Sequence, residues 1–215
     1  MLLVSIDVGI LNLGFAAVEI SESDSDFKDE AEEVYMLKLA LVDLTELDEE
    51  CDASCTIPHT KHIVDRVQHF VAKYAEWLNA ADTILVERQP IQGLTAVEAL
   101  LVHTYRDKVH LVHPICVHRH FCFGDADYDA RKALSTSHAR SLLKKWTTSM
   151  GRQKNNSNIL AYFSACRRKH DMSDALLFIE YYLATVVRAK RKQKRTPLQP
   201  VHSLWAFAYK AHSTT

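Results

Sequence analysis

Glycine is scarce in this sequence: five residues among 215, none of them clustered. A protein that cradles nucleotide phosphates on glycine-rich loops needs several such clusters, so that class is excluded. Cysteine is sparse and odd in number, five scattered residues. That pattern fits a reducing, intracellular compartment better than a disulfide framework. No apolar run approaches the length of a membrane span. Residues 1–20 lack a basic leader, and their alternation reads as strand rather than signal peptide. No Ser/His/Asp order suggests acyl transfer, and there is no internal repeat. The first 130 residues are short of positive charge, with 9 Lys/Arg against 24 Asp/Glu, a net of −15. Residues 131–195 reverse this with 16 against 3, a net of +13. Such asymmetry points to a polyanion docking on the second half, although two solvated faces that neutralise each other would give the same counts.

What remains is 47% hydrophobic and 25% charged, ordinary for a globular domain large enough to bury one good core. "LLVSIDVG" (2–9) and "GFAAVEI" (14–20) read as a hairpin turning on Gly9 and Asn12. "SESDSDFKDEAEE" (21–33) is an acidic loop without an apolar face. "VYMLKLALVDLT" (34–45) is a third strand, and a loop leads into a helix over His59–Ala80. "DTILVERQ" (82–89) is a buried strand, broken by Pro90 and Gly93 before a helix with Thr95 as its candidate N-cap. "VHLVHPICVH" (109–118) reads as a fifth strand and 119–130 as a loop. A basic helix near 136–149, a polar link "GRQKNNSN", a short amphipathic piece at 159–166 and a helix over 169–187 follow. The order predicts an α/β fold: a mixed five-stranded sheet, its first three strands antiparallel, flanked by helices.

Four carboxylates sit badly for pure structure. Asp7 interrupts an apolar strand, Glu87 closes another, and Asp171 and Asp174 lie three apart at the start of a helix. If the first and fourth strands are neighbours, Asp7 and Glu87 meet at their ends. Close, buried carboxylates repel and lose solvation unless they are protonated or bound to metal. Two Mg²⁺ ions roughly 4 Å apart, held by three or four carboxylates, resolve that conflict in phosphoryl-transfer nucleases. Taken singly, Asp171 or Asp174 also serves as a helix cap, and Glu87 as a partner for Arg88.

"SIDVGILNLGFAAVE", "ILVERQPIQG" and "HDMSDALLF", in that order, resemble the RuvC-type Holliday junction resolvases of the RNase H-like superfamily. The likeness is strongest to the resolvases of poxviruses and other large DNA viruses, and to fungal mitochondrial resolvases that share the "ERQ" strand end. It covers about residues 1–20 and 34–188. It implies a nuclease domain over 1–188, with the acidic loop 21–33 as an insertion and 189–215 as a basic C-terminal extension and tail. It further implies a homodimer that nicks opposed strands of a four-way DNA junction symmetrically. Asp7, Glu87, Asp171 and Asp174 would be both catalytic residues and ligands for two Mg²⁺, with Mn²⁺ as a substitute. His170 would orient water or phosphate, unless it merely caps its helix. A viral replication compartment, cytoplasmic or nuclear, would be the place of action of a viral member.

Cations accompany the acids. Arg131, Lys132, Arg140, Lys144, Lys145, Arg152 and Lys154 surround one helix and its following link, and Arg167, Arg168 and Lys169 precede Asp171. Lys190, Arg191 and Lys192 belong to "RAKRKQKR", a DNA-contacting extension, an import signal or a solubilising helix end. Arg88 and Gln89 are expected to touch DNA or order the metal site. Branched DNA read by shape calls mainly for phosphate contacts. Leu94, Val97, Leu101 and Tyr105 form a stripe that packs in the core or, as in the similar resolvases, at a dimer interface.

Cys51, Cys55, His59 and His62 superficially resemble a zinc set, but crowd into twelve residues at a loop-to-helix junction and read as unliganded. Cys116 and Cys122, near His118 and His120, read as plain thiols. The sugar-kinase and actin ATPase group begins with a similar D-x-G strand but needs glycine-rich loops, so no nucleotide cofactor is expected. Nor is a membrane partner. A nuclease acting on RNA–DNA hybrids and a non-catalytic DNA-binding module remain as alternatives.

Overall fold

The computed structural model describes residues 1–21, 33–49, 51, 54–123, 126–147 and 153–189, with backbone alone for 147 and 153–157. The strands are β1 (Leu2–Asp7), β2 (Leu13–Ser21), β3 (Glu33–Val42), β4 (Thr83–Glu87) and β5 (Val109–Val112). They form one sheet in the order β3-β2-β1-β4-β5. β1–β2 and β2–β3 are antiparallel, while β1–β4 and β4–β5 are parallel. This is the expected mixed sheet. The acidic segment 22–32 and everything beyond Ala189 lie outside the described residues.

Side chains alternate between the two faces of the sheet. Val4 and Ile6 of β1, Phe15 and Ala17 of β2, and Ile84 and Val86 of β4 face one core. Helices α1 (Ile63–Lys73), α2 (Ala75–Ala80) and α3 (Thr95–Thr104) cover it through Val67, Phe70, Leu78, Val97 and Leu101, with Tyr74 between α1 and α2. Phe15 stacks against Tyr74 with ring centroids 4.4 Å apart. Full burial of each such side chain contributes about 1.5–3 kcal/mol. The stripe on α3 is thereby a core face. The opposite sheet face carries Leu3, Ser5 and Asp7 from β1, and Leu85 and Glu87 from β4. Both acids therefore point to the same side.

The predicted helix 59–80 is shorter and interrupted. His59–His62 precede it in irregular backbone, and Tyr74 leaves helical geometry at φ −104° and ψ 15°. Thr95 is the first residue of α3 rather than its cap, which is Leu94 without a side-chain cap bond. β5 stops at Val112, not 118. Pro114 has no N–H to give a strand ladder and sits instead at the start of α4 (Pro114–His120). α4 ends at Phe121, and Cys122 takes φ 60°, turning the chain back. α5 (Tyr128–Thr147) then begins eight residues earlier than its predicted start at 136, because the Asp127 carboxylate accepts the Ala130 N–H at 2.8 Å. α6 (Gln153–Ala165) takes in most of the segment read as a polar link. α7 (Lys169–Tyr182) follows, and Leu183–Val187 is a π-helical turn. Met1–Tyr181 make one compact unit, and the described residues 182–189 belong to a second. No helix of the described residues is long and apolar enough to cross a membrane.

Candidate active site

β1 and β4 run parallel with Ile6 opposite Val86, so both strands end together. Asp7 and Glu87 follow at those ends, and their carboxyl groups are hydrogen-bonded to each other. The Val8 N–H donates to Glu87 Oε2 at 3.2 Å, and Gln89 Nε2 donates to the same oxygen at 2.5 Å. Gln89 in turn accepts the Leu94 N–H at 3.0 Å, while its own N–H donates to Glu98 Oε2 at 2.6 Å. Gln89 thus ties the end of β4 to the turn before α3. Arg88, half exposed, pairs with Glu98 Oε1 at 3.6 Å rather than with Glu87.

α7 brings the other two acids. Opposite Asp7 across β1–β2 stands Gly14. A Cβ there would lie 2.2 Å from the Asp171 carbonyl oxygen and 3.2 Å from Asp7 Cβ. The missing side chain lets the first turn of α7 rest directly on the sheet beside Asp7. Asp171 accepts Arg168 Nε at 3.2 Å and lies 3.4 Å from His170 Nε2. Asp174, one turn on, accepts the Ser135 hydroxyl at 2.6 Å. Neither is the N-cap of α7, which begins at Lys169.

Asp7, Val8, Glu87, Asp171 and Asp174 line one cleft of about 270 Å³ together with His118, Tyr128, Arg131, Lys132, Ser135, Arg168 and His170. Crowded carboxylates resist ionisation there. Burial first, then the Asp174 and Glu87 charges, hold Asp7 well above the usual carboxylate range. Burial raises Glu87, partly offset by its contacts with Asp7, Val8 and Gln89. Burial, aided by Glu87 and Asp171, pushes Asp174 up to about 6 against the hydrogen bond from Ser135. Burial lowers His170, with Lys132 and Arg168 reinforcing and Asp171 opposing. Burial and Arg131 lower His118. The donor set is all oxygen, the chemistry a hard divalent cation takes, and two such ions would remove the repulsion that the bare cluster suffers.

The cations divide into groups. Arg131, Lys132 and Arg168 line the cleft itself. Lys132, Arg140, Arg167, Lys169 and His170 line an adjoining groove of about 450 Å³, so Lys132 and His170 belong to both. Lys132 Nζ also lies 4.0 Å from the centre of the Tyr128 ring. Lys144 and Lys145 are exposed in the last turn of α5, farther along the helix. Lys154 falls within α6 and its side chain is not described; Arg152, Lys190, Arg191 and Lys192 lie outside the described residues.

No protein-family model matches the sequence, and no curated protein sequence matches it. Solved structures do. The fowlpox virus Holliday junction resolvase aligns over 86% of this chain and 98% of its own, with TM-score 0.55 at 14% identity. The same viral resolvase in complex with its Holliday junction substrate DNA aligns over 86% and 99%, with TM-score 0.56 at 15% identity. Thermus thermophilus RuvC aligns over 86% and 96%, with TM-score 0.48 at 15% identity.

The fold is the one seen in the fowlpox virus resolvase. Within this fold, sequence reasoning overlooks His118, Tyr128 and Ser135, all of which line the cleft. Their signals were present. Pro114 marks a helix start that places His118 on α4, and Asp127 marks one that adds two turns carrying Tyr128, Arg131, Lys132 and Ser135. The cysteines near His118 take no part: Cys116 and Cys122 are exposed thiols.

Proposed function

We propose that this chain is a structure-selective endonuclease that resolves four-way DNA junctions by symmetrical, two-metal-ion phosphodiester hydrolysis. The observation that carries the proposal is the convergence of Asp7, Glu87, Asp171 and Asp174 at one cleft that Arg131, Lys132 and Arg168 also line. Asp7, Glu87, Asp171 and Asp174 would hold the ions, Mg²⁺ or Mn²⁺, with Asp7 central between Glu87 and the α7 pair. Bound there, the ions would supply a nucleophilic water at neutral pH and stabilise the leaving 3′ oxygen.

The chain's own residues do the rest. Gln89 and the Val8 N–H fix Glu87 Oε2. Ser135 fixes one oxygen of Asp174, and Arg168 with His170 orients Asp171. Arg131, Lys132 and Arg168 place positive charge where a scissile phosphate would enter. Arg140, Arg167 and Lys169 continue that charge along the adjoining groove, where an arm of the junction would lie. Two symmetrical nicks require two such sites related by a twofold axis, hence a homodimer. Branched DNA is also the substrate of the fowlpox virus protein with which this chain shares its fold.

The test offers the purified chain four-way DNA, RNA–DNA hybrid, single strands and ATP in the presence of Mg²⁺. Paired nicks at symmetrical positions flanking the branch point support the proposal. Preferential cleavage of hybrid, turnover of ATP, or junction binding without cleavage would replace it with another reading.

A further inference from the structure

A second cluster stands apart from the carboxylates, in the connection between β3 and α1. Cys51, Cys55 and His59 come from that connection and His69 from the second turn of α1. Their ligand atoms all lie within 4.8 Å of one another. Among the described residues it is the one group of histidines, cysteines and acids drawn together so tightly. His62, counted with this set by sequence proximity, is not a member; His69, seven residues on, takes its place.

The chemistry of the four is specific. Two thiols and two imidazoles form the donor set of closed, tetrahedral zinc sites, and magnesium disfavours it. With Zn–S near 2.3 Å and Zn–N near 2.0–2.1 Å, neighbouring ligand atoms in a tetrahedron stand about 3.4–3.8 Å apart. Cys55 Sγ and His69 Nε2 are already 3.7 Å apart. The remaining separations, 4.8 Å at most, need only small rotations about side-chain bonds.

His69 is prepared for such a role. It is 3% exposed, and its Nδ1 lies 2.8 Å from the Asp65 carbonyl oxygen. A carbonyl only accepts, so Nδ1 carries the proton and Nε2 presents its lone pair to Cys55. A backbone acceptor that fixes the far nitrogen in this way is the recurrent support of metal-bound histidine. The ring of His59 meets that of His69 edge-on, with centroids 4.9 Å apart. A lone Cys–His hydrogen bond would explain the Cys55–His69 contact, but not why Cys51 and His59 converge on the same point.

We infer that Cys51, Cys55, His59 and His69 bind one zinc-class divalent cation, which clamps the β3–α1 connection onto the side of α1. The site shares no residue with the carboxylate cleft, so it holds whether or not the chain is a nuclease.

The experiment measures metal content of the full-length chain by mass spectrometry, after purification without chelators and dialysis into Mg²⁺ buffer. The expected result is one zinc per chain, retained in Asp7→Asn and in Cys116→Ser. In Cys55→Ser and in His69→Gln it falls at least about tenfold. Replacement by Co²⁺ in the unaltered chain should give the intense visible bands of tetrahedral cobalt and a thiolate-to-cobalt charge-transfer band. That measurement decides the matter even if the variants fail to fold. Absence of both zinc and those cobalt bands in the unaltered chain would overturn the inference, as would zinc lost from Asp7→Asn but kept in Cys55→Ser.

Discussion

At the residue scale, the account turns on carboxylates that are costly where they stand. Asp174 carries the clearest consequence. Burial pushes its carboxyl up to about 6, against 3.8 for an ordinary aspartate, so between these values the folded chain holds a proton that the unfolded chain has shed. Stability from this group is therefore full below about pH 4 and falls as pH rises to about 6, a loss on the order of 3 kcal/mol. Without added divalent cation, the melting temperature should drop between about pH 4 and pH 6, Mg²⁺ should recover it at the higher pH, and Asp174→Asn should flatten the profile. A variant profile as steep as the parent's would contradict this origin. Asp7→Asn should reduce junction cleavage at least about 100-fold in a gel assay while leaving junction affinity intact, because the cations that bind phosphate survive. Asp7 declares itself in the sequence, since nothing apolar about β1 accounts for a charge. Ser135 does not: a serine inside a basic helix gains meaning only once α7 places Asp174 2.6 Å away.

At the element scale, the contact between β2 and α7 sets the geometry. Gly14 permits it, and Gly14→Ala would drive a Cβ into backbone, where no side chain can swing aside. That substitution should lower stability by about 1–3 kcal/mol in denaturant titration and depress cleavage with it, by moving Asp171 and Asp174 away from Asp7. Loss of stability with full cleavage would show that α7 need not rest on β2. α5 makes the second decisive placement, with its first two turns carrying Arg131 and Lys132 to the cleft. Lys132→Ala and Arg168→Ala should each weaken junction binding and lower the slope of log affinity against log salt by about one. The strands were readable from alternation and burial, and their pairing from the need to bring Asp7 to Glu87. Helix starts were harder. The start signals at Asp127 and Pro114 fall outside any regular apolar period, so α4 reads as strand and the opening of α5 as loop.

At the scale of the whole molecule, the parallel crossover from β1 to β4 makes one cleft from segments 80 and more residues apart in the chain. The two segments of opposite charge meet in this cleft: Asp7 and Glu87 come from the acidic first part, and Asp171, Asp174, Arg131, Lys132 and Arg168 from the basic second part. A homodimer with two such clefts should cut a supercoiled plasmid bearing an extruded cruciform straight to the linear form. Accumulation of singly nicked circles would argue for one site acting alone. The Cys/His cluster shows where linear spacing misleads. Three of its members are neighbours in the sequence, but the fourth enters only when α1 folds back on the loop.

The central claim is that the four carboxylates hold a pair of divalent cations, and anomalous diffraction from crystals soaked in Mn²⁺ tests it most directly. The account predicts two manganese peaks roughly 4 Å apart, bounded by Asp7, Glu87, Asp171 and Asp174. A cleft without manganese in crystals that bind the ion elsewhere would contradict it.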